Sequence, residues 1–139
     1  MFTSVSARSA SAYKRASVDA SVEMASPHQL VTMLFEALQR ALGAASAAMA
    51  AGDVSAKCNH ISSAIRILDE GFIAPLDMTN GGELAANLRK LYEYCVRRLA
   101  LANAKNDLSI LEEVKQLIAP IASGWKQIDG QGPAYLKPV

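Results

Sequence analysis

From Val54 to Phe72 the apolar residues Val54, Cys58, Ile61, Ile65, Leu68 and Phe72 are spaced four, three, four, three and four apart. Only an α-helix brings such a series onto one side, so this stretch predicts a helix with a bundle seam. Ala64 and Ile67 widen that seam. Three further stretches carry apolar residues at helical spacing, and no segment alternates every second residue as a half-buried strand would. The fold class expected is therefore all-α, with the helices packed against one another.

Helix ends are written into the sequence. Ser26-Pro27-His28-Gln29 reads as a capping box with proline at the first helical position, opening a helix from about Pro27 to Ala51. On it Leu30, Leu34, Ala37, Ala41, Ala45 and Ala48 form one stripe, and Val31, Phe35, Leu38, Leu42 and Met49 a second. Gly52 closes it and Asp53 opens the next, a connection so short that the two helices must be antiparallel neighbours. Gly71, Pro75 and Asn80-Gly81-Gly82 break the chain between the second and third helices. Asn80 and Glu83 suggest a second capping box for a third helix running to about Ala104. Its seam is Leu84, Leu88, Leu91, Cys95, Leu99 and Ala102, with Tyr92 and Val96 alongside. Glu93 precedes Arg97 by four residues, the favourable order for an ion pair. Asn106-Asp107 turns into a fourth helix, Leu108 to Gln127, with Leu111, Val114, Ile118, Ile121 and Trp125 at core positions. Pro120 inside it removes a backbone bond and predicts a kink near Gln116–Pro120. Residues 26–127 thus form the bundle domain. Ser-rich residues 1–25, anchored by Tyr13, Val18, Val22 and Met24, read as an arm or cap, and 128–139 as a flexible tail.

Composition narrows the function. Of 139 residues 51% are hydrophobic, but 25 are alanines, so much of that content forms helix as much as core. A net charge of +1 gives no electrostatic case for nucleic acid or an anionic membrane. The apolar runs are too short to span a membrane and no signal peptide is evident, which predicts a soluble, unsecreted chain. Cys58 and Cys95 lack metal-ligand spacing and are expected to be buried, reduced thiols.

Reactive constellations are missing from the pattern. No His or Cys pair has metal-binding spacing, and no glycine-rich loop follows a strand. Serines abound, yet no histidine is placed as their base. His60 has the helical setting of a phosphoryl-relay histidine, but it adjoins the seam residue Ile61 and lacks the Lys-Gly expected after such a residue. His28, in the first turn of its helix, reads as an ordinary surface side chain. Arg89, Lys90, Arg97, Arg98 and Lys105 make the third helix locally basic. That is either a solvated face or a site for an acidic docking partner. Surplus apolar surface without reactive groups points to a molecule that holds a partner, and no catalytic residue, metal, cofactor or small-molecule substrate is expected.

Three blocks carry a family resemblance. They are Ser21-Val22 with Ala25-Ser26-Pro27-His28-Gln29-Leu30 and Met33-Leu34-Phe35; Gly81-Gly82-Glu83 with Asn87-Leu88; and Leu91-Tyr92-Glu93-Tyr94 with Arg97-Arg98-Leu99 and Ala102-Asn103. With Asn106-Asp107, Glu112-Glu113-Val114 and Trp125, the chain from about Tyr13 to Gln127 resembles the FliS family of flagellar secretion chaperones. The resemblance implies an antiparallel up-down four-helix bundle with a short N-terminal cap, working in the cytosol without cofactor or nucleotide. It implies two partners, the disordered C-terminal helical segment of flagellin and the cytosolic domain of the export gate. Tyr13 matches the family's N-terminal aromatic. Ile61, Ile65 and Leu68 of the second helix, with Leu88, Leu91 and Tyr92 of the third, are the expected client groove, the alternative for at least half of them being ordinary core positions. Pro120 departs from the family's uninterrupted last helix. The rival reading is a homodimer that uses its apolar faces on itself and has no secreted client.

Overall fold

The computed structural model describes residues 25–128. Expectations for the arm before Ala25, Tyr13 among them, and for the tail beyond Ile128 lie outside the described residues. Four helices follow in order: α1 (Pro27–Ala51), α2 (Val54–Ile67), α3 (Gly82–Lys105) and α4 (Leu108–Lys126), with a π-helical segment (Leu68–Ile73) continuing α2. No β-strand occurs among the described residues.

Local chemistry sets each boundary. The Ser26 hydroxyl accepts from the Gln29 amide at 3.2 Å, and the Gln29 side chain accepts from the Ser26 amide at 2.8 Å, so the capping box is complete. At the far end of α1, Gly52 takes a left-handed φ of 74°. Its amide donates to Met49 O at 3.2 Å and that of Asp53 to Ala48 O at 2.9 Å, the paired bonds of a Schellman stop. Asp53 then caps α2, accepting from the Ala56 amide at 3.1 Å. The same device recurs between α3 and α4. Asn106 stands at φ 52°, the Asp107 amide returns to Ala102 O at 3.0 Å, and the Asp107 carboxylate accepts from the Ser109 amide at 2.9 Å. Both turns lie at one end of the bundle.

At the other end the connection is longer and less regular. The π segment closes with Ala74 N–H donating to Asp69 O at 3.0 Å, five residues back, and buries Leu68, Gly71 and Phe72. The proposed capping box at Asn80 and Glu83 is not formed. Asn80 is committed elsewhere, its amide and side-chain nitrogen both donating to the buried carboxylate of Asp77, at 3.0 and 3.1 Å. Gly81 therefore occupies the N-cap without a side-chain bond, and Gly82 enters α3 at φ 62°, a conformation that favours glycine.

The helices pack as a ring: α1 on α2, α2 and the π segment on α3, α3 on α4, and α4 back on α1. Named contacts fix the directions. His28 at the start of α1 meets Trp125 at the end of α4, and Lys57 at the start of α2 meets Asn103 near the end of α3. This is the antiparallel four-helix bundle that the sequence predicts. Its core is centred on Leu34, Leu38, Leu42, Ile61, Ile67, Leu68, Leu99, Leu111 and Ile118. Near one end, Phe35, Phe72, Tyr92 and Trp125 join all four sides, with ring centroids 4.6 Å (Phe35–Phe72), 5.4 Å (Phe72–Tyr92) and 6.4 Å (Phe35–Trp125) apart. The α4 helix assignment is unbroken through the exposed Pro120.

Candidate functional site: an apolar trough along the third and fourth helices

Six of the expected groove residues fall within the described chain, and the structure divides them. Ile61 and Leu68 are wholly buried, and Tyr92 is 4% exposed in contact with Phe72. These three belong to the core: their positions on α2, the π segment and α3 face inward, so they shape the bundle from inside and offer no open surface. Ile65, Leu88 and Leu91 are half-buried at the edge of the core.

Register then separates Ile65 from the two leucines. Leu84 and Leu91 stand two and one heptads before Arg98, on the same line of α3. Arg98 Nε donates to Glu113 Oε1 of α4 at 2.8 Å, so this line faces α4. Leu88 lies beside it. On α4, Leu117 and Ile121 follow Glu113 by four and eight residues and are half-buried too. Antiparallel packing sets them opposite the leucines of α3. By register, Leu84, Leu88, Leu91, Leu117 and Ile121 fall along the α3–α4 seam as one incompletely covered apolar strip, or trough. Leu84 is its most open member at 53% exposure. Ile65 belongs to α2, which packs on the other flank of α3.

A polar staple closes the trough on the side of the tight turns. Tyr94 Oη donates to Glu113 Oε2 at 2.6 Å, and Arg98 lies over the Tyr94 ring at 5.9 Å from its centroid. The hydrogen bond from Tyr94, reinforced by Arg98, holds the Glu113 carboxyl below its usual range. The same bond raises the Tyr94 phenol, and pairing with Glu113 raises Arg98. The expected Glu93–Arg97 pair is replaced by one in the reverse order. Glu93 accepts from Arg89 Nε at 3.2 Å, one turn before it.

Other polar groups mapped from the sequence are structural. His28 is no free surface residue: its ring stacks on Trp125 with centroids 4.8 Å apart. Trp125 Nε1 donates to His28 O at 3.2 Å, and His28 Nε2 is 3.1 Å from Trp125 O. The clasp joins the start of α1 to the end of α4. Lys57, which the seam pattern did not single out, is 4% exposed and donates to Asn103 O at 3.1 Å and Asn106 Oδ1 at 3.2 Å. Cys95 is buried, and desolvation pushes its thiol up to about 11. Cys58 is only half-buried, a correction to the expectation, and lies 3.3 Å from Asn103 Oδ1. His60 lines a shallow depression of about 200 Å³ with Arg40 and Ser63. Among the described residues no group of three or more His, Cys, Asp or Glu is placed to hold a metal ion, and no helix is long and apolar enough to cross a membrane.

Comparison with known proteins gives this architecture its context. The family model described as flagellar protein FliS matches residues 9–132. The flagellar secretion chaperone FliS of Salmonella typhimurium strain LT2 is 49% identical over 117 residues, 84% of this chain and 87% of that protein. Its Escherichia coli K12 counterpart is 42% identical over 87% of this chain and 89% of its own length. The flagellar secretion chaperone FliSB of Pseudomonas aeruginosa PAO1 is 40% identical over 84% and 91% respectively. This chain, matched along most of its length by the family model and by these relatives, belongs to the FliS family of flagellar secretion chaperones, and its role is that of a chaperone in flagellar export.

Proposed function

We propose that this chaperone binds the C-terminal helical segment of flagellin in the cytosol, blocks its premature polymerisation and delivers it to the flagellar export gate. The observation that carries the reading is the α3–α4 trough, where Leu84, Leu88 and Leu91 follow one another at helical spacing without being fully enclosed. An amphipathic segment detached from its filament exposes an apolar stripe that self-associates. Covering that stripe recovers about 25 cal/mol per Å² of apolar surface, less the cost of ordering the segment. Several modest anchors suit such a client better than one deep pocket, because the chaperone must also let it go.

The experiment is a titration of the full chain with a C-terminal flagellin peptide, followed by calorimetry and Trp125 fluorescence. The variant Leu84→Asp, Leu91→Asp tests the trough; Leu84 is already half in water, and circular dichroism checks that the fold survives the change at Leu91, which packs at the edge of the core. Removing two leucine contacts and burying two carboxylates weakens binding at least about 100-fold, since each 1.4 kcal/mol is a factor of ten. Unchanged affinity in the variant places the client elsewhere. A peptide that fails to bind the unmodified chain, alongside a persistent dimer, favours the self-association reading.

A further inference from the structure

Half of the lysines and arginines among the described residues stand on α3. Two of them are neutralised within the bundle, Arg89 by Glu93 and Arg98 by Glu113. Lys90, Arg97 and Lys105 are exposed and form no ion pair among the described residues. Lys90 and Arg97 are seven residues apart, on one line of the helix and about 10 Å from each other. Along the adjoining line run the half-buried Tyr94 and Leu101, ending at Lys105. Ala100 and Ala104 are exposed beside Arg97, so nothing bulky keeps a partner backbone away. The face therefore combines a cation row, an aromatic and an aliphatic contact, and small side chains. It is turned about 120° around α3 from the line of Leu84 and Leu91.

We propose that the outward face of α3, with Lys90 and Arg97 at its centre, docks an acidic protein surface while the trough is occupied by the client. This rests on the delivery reading above and gives the receiver its chemistry: carboxylate side chains spaced to meet cations two helical turns apart. Two points favour a second partner over the client. The cations stand well around the helix from the leucines, so one helical segment lying in the trough does not cover both. The bundle also spends two glutamates on Arg89 and Arg98 and leaves the intervening cations unpaired, which keeps their field directed outward. Charge complementarity of this kind speeds encounter and selects partners, and it weakens with salt.

The test uses the full chain, loaded with a C-terminal flagellin peptide, and the purified cytosolic domain of the export gate as probe. Binding is measured at about 0.05 M and about 0.5 M salt. Lys90→Glu, Arg97→Glu is compared with Arg40→Glu, an exposed cation on α1. The expected result is gate-domain binding weakened at least about tenfold by the paired reversal, with the salt dependence largely lost and peptide affinity within about twofold. Arg40→Glu leaves all three unchanged, and circular dichroism confirms the fold of each variant. If the unmodified complex binds the gate domain and the paired reversal binds it equally well, the basic face is not the docking site and delivery stands. If the unmodified complex does not bind at all, delivery itself fails and this proposal with it. A tenfold loss of peptide affinity in the reversal assigns the face to the client and overturns the separate-partner reading.

Discussion

Lys57 offers the sharpest energetic test of how the bundle is held. The residue is 4% exposed, and its ammonium meets the last turn of α3 through Asn103 O at 3.1 Å and Asn106 Oδ1 at 3.2 Å. Lys57→Met keeps the stem and removes the charge. Hydrogen bonds to a charged group contribute about 1.5–3 kcal/mol each, and a cation at a helix C-terminus adds about 0.3–1 kcal/mol. Against these stands the relief of desolvating an ammonium, several kcal/mol in a buried site. Losing the shorter donor to the Asn103 carbonyl, which keeps only the Asn106 amide at 3.4 Å, together with the bond to Asn106 Oδ1 outweighs that relief, and the net loss expected is about 2 kcal/mol. In urea, with a slope of about 2 kcal/mol per molar, the midpoint falls by about 1 M at constant slope. Asn106→Gly completes a cycle. Glycine suits the left-handed backbone and relieves up to about 1 kcal/mol, but it forfeits the bond to Lys57. It therefore destabilises the unmodified chain by about 1 kcal/mol and is neutral or stabilising when Met occupies position 57. Additive effects of the two substitutions, or a midpoint shift below about 0.3 M for Lys57→Met, refute the argument.

Four shorter predictions follow from the same geometry. A thiol reagent at mildly alkaline pH modifies Cys58 in the folded chain and reaches Cys95 only on unfolding. The thiol of Cys95 is held up at about 11 against an ordinary 9.0, so its stabilising contribution is complete below pH 9 and falls away as pH rises toward 11. Glu113 has the opposite sign. Its carboxyl is held below the ordinary 4.5, so its contribution is present above that pH and is lost as pH falls through the folded-state value. Glu113→Gln should flatten the acid limb of a urea-midpoint profile, and identical limbs contradict the staple. Trp125→Phe removes the donor to His28 O and part of a buried ring, lowering unfolding stability by about 1–2 kcal/mol. His60→Gln leaves peptide binding and stability unchanged, and a loss of chaperone function with the fold intact revives the phosphoryl-relay reading.

The parts of the fold that were legible in the sequence are those fixed by local chemistry. Ser26, Pro27 and Gln29 mark the start of α1, and Gly52-Asp53 and Asn106-Asp107 mark the two tight turns, because each acts on amides and carbonyls within a few residues. The 4-3 spacing gave the number of helices for the same reason. Non-local competition defeated the rest. Asn80 caps in principle, but the Asp77 carboxylate recruits it into a different turn. Glu93 has suitable partners one turn away in both directions, and spacing alone does not choose Arg89 over Arg97. The π segment needs the positions of Phe35 and Tyr92, which accept Phe72 between them. Lys57 interrupts an apolar pattern and so reads as surface until Asn103 and Asn106 arrive from α3. The candidate site is the part that spacing resolves least. A seam residue and a trough residue look the same in sequence, and only the packing of α4 against α3 distinguishes Tyr92 from Leu91.

These elements divide the bundle along its length. At the end with the tight turns, Schellman stops satisfy the terminal carbonyls, Asp53 and Asp107 cap the next helices, and Lys57 bridges α2 to α3. Little backbone freedom remains there. The opposite end holds the π segment, the Asp77 loop and the glycine entry to α3, and there Leu84 opens into water beside the half-buried Leu88. A client needs apolar surface that is stable in water and can still reshape around it. Concentrating the hydrogen-bonded constraints at one end lets the other carry incompletely covered leucines without unravelling, since local opening there need not propagate past the staple of Tyr94, Arg98 and Glu113. The aromatic cluster of Phe35, Phe72, Tyr92 and Trp125 lies behind the trough as its rigid backing, so a helix laid on Leu84, Leu88 and Leu91 presses on a packed core and not on a void. The leucines can thus face water because the aromatics behind them do not.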